Sequence, residues 1–144
     1  MSSASPTPPA PPSPVGPPGP GGTDPAPRAR RVDAAGLIAF EAAARRDGFR
    51  LLRADLSGAH DRAGVFSALA RGLALPDYFG ANLDALYDCL TDLEAAEGGI
   101  AITLAAVPRL PQGELDALLS VFADAIEAWD GRGVVLRVAY SVAG

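Results

Sequence analysis

The 144-residue chain has no lysine, one cysteine, one histidine and no long apolar run, and each scarcity excludes something. The single cysteine, Cys89, rules out an internal disulfide and cannot alone build a thiolate metal site. No stretch approaches the roughly 20 apolar residues of a membrane span. Residues 1–10 are Ser- and Pro-rich and lack the basic start and apolar core of a secretory signal. A cytoplasmic location without membrane association is expected. There is also no Gly-rich phosphate loop and no nucleophile elbow. Carboxylates aside, His60 and Cys89 are the obvious candidates for nucleophilic or general-base chemistry. Acidic neighbours disfavour a Cys89 thiolate, and His60, in the loop sequence GAHD, reads as exposed and inert. No catalytic residue, cofactor or metal is assigned, and an enzyme is not expected.

Positive charge is scarce in one half only. Residues 1–53 carry seven Arg against four acids, a net of +3, and residues 54–144 carry five Arg against thirteen, a net of −8. Between Pro76 and Glu97 there are six acids and no base. A nucleic-acid binder needs a basic stripe to neutralise phosphates, so direct RNA or DNA binding is not expected. A basic protein partner is favoured instead, because opposite potentials speed encounter.

Large apolar side chains are nearly absent from residues 1–27, which hold eleven of the 14 prolines. Such a segment cannot bury enough surface to offset its ordering entropy. Residues 1–32 therefore read as a disordered Pro/Gly-rich leader of polyproline II character, more a spacer than a PxxP ligand. Residues 33–144 have room for one small domain with a single modest core.

Within that domain Asp33 can cap a helix over Ala34–Arg46, stopped at Asp47-Gly48. Residues 49–56 read as a buried strand. Asp61 starts a second helix, and Pro76 prevents its continuation. Asn82 caps the next helix, whose buried stripe is Leu83, Leu86, Leu90 and Leu93 and whose end falls at Gly98-Gly99. Residues 100–104 make a second strand. A long helix after Pro111 carries Leu115, Leu118, Leu119, Phe122, Ile126 and Trp129 at helical spacing. Gly131 and Gly133 then bracket the turn into a third strand, residues 134–140. Strands separated by helices pair in parallel. The expected fold class is α/β, a small three-stranded parallel β-sheet packed by helices.

Residues 75–93, LPDYFGANLDALYDCLTDL, hold the most informative pattern. Asp84, Asp88 and Asp92 recur every four residues, and like charges at that spacing oppose a helix by about 0.2–0.5 kcal/mol per pair. Asp84 sits favourably in the dipole of the first turn, but Asp88 is mid-helix with an acid on either side. A solvated helix face is one reading. A surface built for a cationic partner is the other, with Tyr78 and Tyr87 at least partly outside and Phe79 inside. Carboxylates on one helix can also hold Mg²⁺ with substrate phosphates, which would make the chain a Mg²⁺-dependent phosphate-handling enzyme. That chemistry ordinarily adds a cationic clamp, and no basic residue lies nearby in sequence.

Residues 74–90, ALPDYFGANLDALYDCL, closely resemble the barstar family of intracellular ribonuclease inhibitors. The signature of that family is a Pro-acid-aromatic-aromatic-Gly-x-Asn-Leu-Asp-Ala-Leu-aromatic-Asp-Cys-Leu run. The order of elements over residues 49–141 fits too, and Val121-Phe122 resembles the second contact region of the family. Residues 1–32 are not covered, and the helix before Phe49 is additional to the minimal family domain. The resemblance implies a three-stranded α/β domain that plugs the active site of a basic, secreted guanyl-type ribonuclease, in a 1:1 complex formed by a free monomer. It implies that Asp88 anchors in the pocket for the scissile phosphate and that Asp84 pairs with cations at the edge of the groove. Tyr78 would stack at the mouth, with Gly80, Asn82 and Leu83 packed around it, and Tyr87, Val121 and Asp124 would complete the contact. Three residues depart from the family prototype: Tyr87 and Leu93 replace tryptophans, and Asp124 replaces a glutamate. An immunity or antitoxin module against another basic toxin, or an interaction domain, remains the alternative on the same scaffold.

Overall fold

Three of the four helices begin where a side chain can satisfy a free backbone N–H. The structure is a computed structural model that describes residues 28–76 and 82–143. Helix α1 (Ala34–Arg46) is capped by Asp33, which accepts from Gly36 N at 2.7 Å, and Arg45 and Arg46 complement its negative end. Helix α2 (Arg62–Gly72) is capped by Asp61 through Gly64 N at 2.9 Å. Helix α3 (Leu83–Leu90) is capped by Asn82. Helix α4 (Gln112–Asp130) follows Pro111, which offers no side-chain bond.

The strands are β1 (Arg30–Arg31), β2 (Phe49–Asp55), β3 (Gly99–Val107) and β4 (Leu136–Val142), in the order β1-β4-β3-β2 with every pairing parallel. The sheet therefore has four strands, one more than the sequence led us to expect. The additional strand pairs Arg30 with Ala139 and Arg31 with Tyr140, and Val32 N donates to the Tyr140 carbonyl at 2.8 Å. It lies in the tail of the segment read as leader; residues 1–27 lie outside the described residues. Two consecutive arginines show neither period-2 alternation nor β propensity, so sequence alone offered no signal for them. Charged side chains on an edge strand also discourage pairing with another chain.

Because β1 and β2 occupy opposite edges, α1 must cross the sheet between them, and it touches β2, β3 and β4 on the way. Alternation along the strands sorts the two faces. Ile100, Ile102 and Leu104 of β3 and Leu136, Val138 and Tyr140 of β4 join residues of α2, α3 and α4 in the main core. The intervening Ala101, Thr103 and Ala139 are small and buried, and they leave room for α1. There Glu41 is only 6% exposed. One of its oxygens accepts from the Thr103 hydroxyl at 2.8 Å and lies 3.3 Å from Arg53 Nε, so the buried carboxylate has both a donor and a counter-charge.

Helix α3 is shorter than expected. It ends at Leu90 with Thr91 as C-cap, well before Gly98-Gly99. The Thr91 hydroxyl donates back to the carbonyls of Tyr87 at 3.0 Å and Asp88 at 3.1 Å, satisfying the last turn from within. Asp92 and Leu93 thus follow the helix and are not part of it. Gly99 instead opens β3 at φ +124, where a Cβ would strike the Val135 carbonyl.

Helix α2 lies close against β2 at Gly72, where an added Cβ would collide with the Arg53 carbonyl and stand 2.7 Å from Ala54 Cβ. Gly72→Ala is expected to destabilise the domain by about 1–3 kcal/mol, the usual range for overpacking, despite the better helix propensity of alanine. Urea unfolding checks this; a midpoint at or above that of the parent would show that α2 can shift without cost.

Candidate functional site

Asn82 Oδ1 accepts from Ala85 N at 2.8 Å and sets the first turn of α3. From that start Leu86 and Leu90 fall on the inner face, where both are fully buried. Asp84 and Asp88 fall on the outer face and are exposed, while Tyr87 lies at the boundary, half-buried. On α4, burial of Phe122, Ala125, Ile126 and Trp129 turns Asp124 and Glu127 outward and leaves Val121 at the margin.

Since α3 packs against α4, the two outer faces meet in an open groove of about 620 Å³ lined by Asp84, Tyr87, Asp88, Val121, Asp124, Glu127 and Ala128. Five sequence-nominated residues, Asp84, Tyr87, Asp88, Val121 and Asp124, are brought together here from segments more than thirty positions apart. Asn82 is a cap outside the groove, and Leu83 is half-buried against the core beside Val65, Phe66, Leu110 and Leu118. Tyr78, Phe79 and Gly80 lie outside the described residues. Asp92, past the end of the helix, lines a neighbouring depression with Cys89, Glu94 and Arg132.

Glu127 is the residue the sequence reading missed. Its spacing of three from Asp124 places both on one face of α4, and that periodicity was the available signal. Four carboxylates therefore share one groove, and among the described residues none of the four pairs with a basic side chain. Two like charges 4 Å apart repel by about 1 kcal/mol in water, so an exposed groove can hold this charge without unfolding. A partner that expelled the water without supplying cations would face a far larger repulsion.

No group of three His, Cys, Asp or Glu among the described residues is placed to share a metal ion. No helix among them is long and apolar enough to cross a membrane. His60 is exposed. Cys89 is half-buried; burial first, then the charges of Asp88 and Asp92, push its thiol above the ordinary cysteine range.

Fold and site together define a small parallel α/β protein carrying an anionic groove between two helices. Residues 49–141 match the family model described as Barstar (barnase inhibitor), and the chain belongs to that family. The match runs from β2 to within β4, so β1 and α1 lie outside it. Comparison with curated proteins gives no match.

The field of Asp88 can be read through Cys89. Its alkylation by a neutral reagent should have a pH midpoint above that of a free thiol, and Asp88→Asn should move the midpoint down. Desolvation, the larger cause, would remain, so the midpoint should stay above the ordinary value. Iodoacetamide kinetics across pH 7–11 (roughly the thiol range) test both statements; an unmoved midpoint would mean that Asp88 does not act on the thiol.

Proposed function

We propose that this chain inhibits a basic, guanyl-type ribonuclease by seating the α3–α4 carboxylates in the active-site groove of that enzyme. One observation carries the reading. Asp84, Asp88, Asp124 and Glu127 converge on a single open surface with no arginine of the described residues to neutralise them. Membership of a family described by its inhibition of barnase supports it.

The chemistry is one of mimicry. A ribonuclease is cationic where it grips a phosphodiester, and carboxylates fixed on helices can satisfy those cations without offering a bond to cleave. Asp88, on the groove-lining face of the last turn of α3, takes the pocket of the scissile phosphate, and Asp84 pairs with cations at the edge. Asp124 and Glu127 extend the anionic surface along α4. Tyr87, Val121 and Ala128 supply apolar contact between the charges, and Tyr78 and Gly80, which precede α3 in the sequence, add to the contact. Because the helices already hold these groups, little ordering accompanies binding. The complex is 1:1, formed by a free monomer in the cytoplasm of the cell that makes the nuclease.

Asp88→Ala should weaken inhibition by about 3 kcal/mol or more, since it strands a desolvated cation in the enzyme, which is roughly a hundredfold in Kd. The same variant should fold normally, with stability unchanged or raised by up to about 0.5 kcal/mol as like-charge repulsion is relieved. Titration of a guanyl-type ribonuclease, with parallel thermal unfolding, measures both. Association should also slow as salt rises from 0.05 to 0.5 M (roughly a threefold fall in screening length). An Asp88→Ala variant that binds as tightly as the parent would remove Asp88 from the anchor role.

A further inference from the structure

The last turn of α3 is held from outside as well as from within. Trp129, 7% exposed near the end of α4, donates from Nε1 to the Leu90 carbonyl at 2.8 Å. Arg132, just beyond α4, donates from Nη1 to the Thr91 carbonyl at 2.7 Å, and its guanidinium carbon lies 4.5 Å from the Trp129 ring centroid. The Thr91 hydroxyl serves Tyr87 and Asp88, and Asp92 N serves Cys89 at 3.2 Å. Every carbonyl from Tyr87 to Thr91 thus has a donor. The two at the very end, which a helix leaves without intrahelical partners, are served by residues about forty positions away.

That turn carries Asp88, while Trp129 ends the same helix that carries Asp124 and Glu127. We infer that Trp129 and Arg132 are positioning residues for the anionic groove: their bonds to the Leu90 and Thr91 carbonyls fix the last turn of α3 against α4 and hold Asp88 in register with the α4 carboxylates. The functional half of this inference rests on the ribonuclease-inhibitor reading; the structural half does not. The indole is buried and stacked under the guanidinium, so it has little freedom to release the carbonyl. Arg132 is exposed and always charged. It also suits the negative end of α3, at the cost of a positive charge beside an acidic surface.

The two residues therefore leave different kinetic signatures. Trp129→Phe keeps an aromatic ring beneath Arg132 and leaves the charge in place, but removes the N–H together with the five-membered ring. It should speed dissociation from the nuclease about tenfold, the scale of one hydrogen bond, and leave association unchanged. Arg132→Met removes donor and charge but keeps an aliphatic stem over the indole. It should speed dissociation and also speed association, because the anionic field is then less opposed. Arg132→Lys should restore most of the parental behaviour.

The test has two arms, both on the full chain. In the free protein, amide exchange at Thr91 and Asp92 should rise in Trp129→Phe and in Arg132→Met by about tenfold more than at Ile102 in β3, which reports global stability. If exchange at Thr91 and Asp92 does not change, the clamp is overturned regardless of any nuclease result. In the second arm, rates with a guanyl-type ribonuclease are measured for Trp129→Phe, Asp88→Ala and the double variant. Positioning requires that Asp88→Ala cost less when Trp129 is already phenylalanine. Penalties that simply multiply would show that the clamp supports the fold and not Asp88, which overturns the inference. A parent chain that fails to bind the nuclease sinks the inhibitor reading and the functional half with it, while the exchange arm still decides the clamp.

Discussion

The seating of α3 on α4 is the constraint from which the rest of the surface follows. Leu86 and Leu90 are fully buried in a core that includes Phe122, Ala125 and Trp129. At helical periodicity, burying those two leucines leaves Asp84 and Asp88 no direction but outward. The same argument applied to α4 sends Asp124 and Glu127 to the surface. Neither helix alone makes a groove. The anionic surface exists because two amphipathic helices share one apolar seam and lay their polar faces side by side.

Charge of one sign at such density works against the fold, and the chain manages it by exposure. Where a carboxylate is buried, as at Glu41, it receives a hydroxyl and a guanidinium. Where carboxylates gather in the groove, water screens them and no internal cation is supplied among the described residues. The arginines nearest the end of α3 are committed elsewhere: Arg132 to the Thr91 carbonyl and Arg50 to the Glu94 carbonyl at 2.9 Å.

The segment outside the family match has a separate structural role. Ala101, Thr103 and Ala139 form a sheet face that α1 covers, and β1 pairs with what would otherwise be the free edge of β4. Helix α1 is thus integral to this domain, tied in by Glu41, Thr103 and Arg53. It lies across the sheet from α2, α3 and α4, and it lines no part of the α3–α4 groove.

Local chemistry was enough to read much of this from the sequence. Caps such as Asp33, Asp61 and Asn82 act within three residues, so the starts of α1, α2 and α3 were legible. So was the outward direction of Asp84 and Asp88, because it depends only on the spacing of their leucine neighbours. The contiguous run over residues 74–90 carried the family resemblance by itself, because its residue types follow one another without a gap. What sequence could not reveal depends on residues far apart in the chain. Strand β1 exists only because β4 offers an edge to two arginines without strand propensity. Helix α3 stops at Leu90, and Trp129 and Arg132 are placed to take its final carbonyls. Glu127 joins Asp88 because the two helices pack together. Periodicity along one segment fixes which way a side chain points, but only packing between segments decides what it points at.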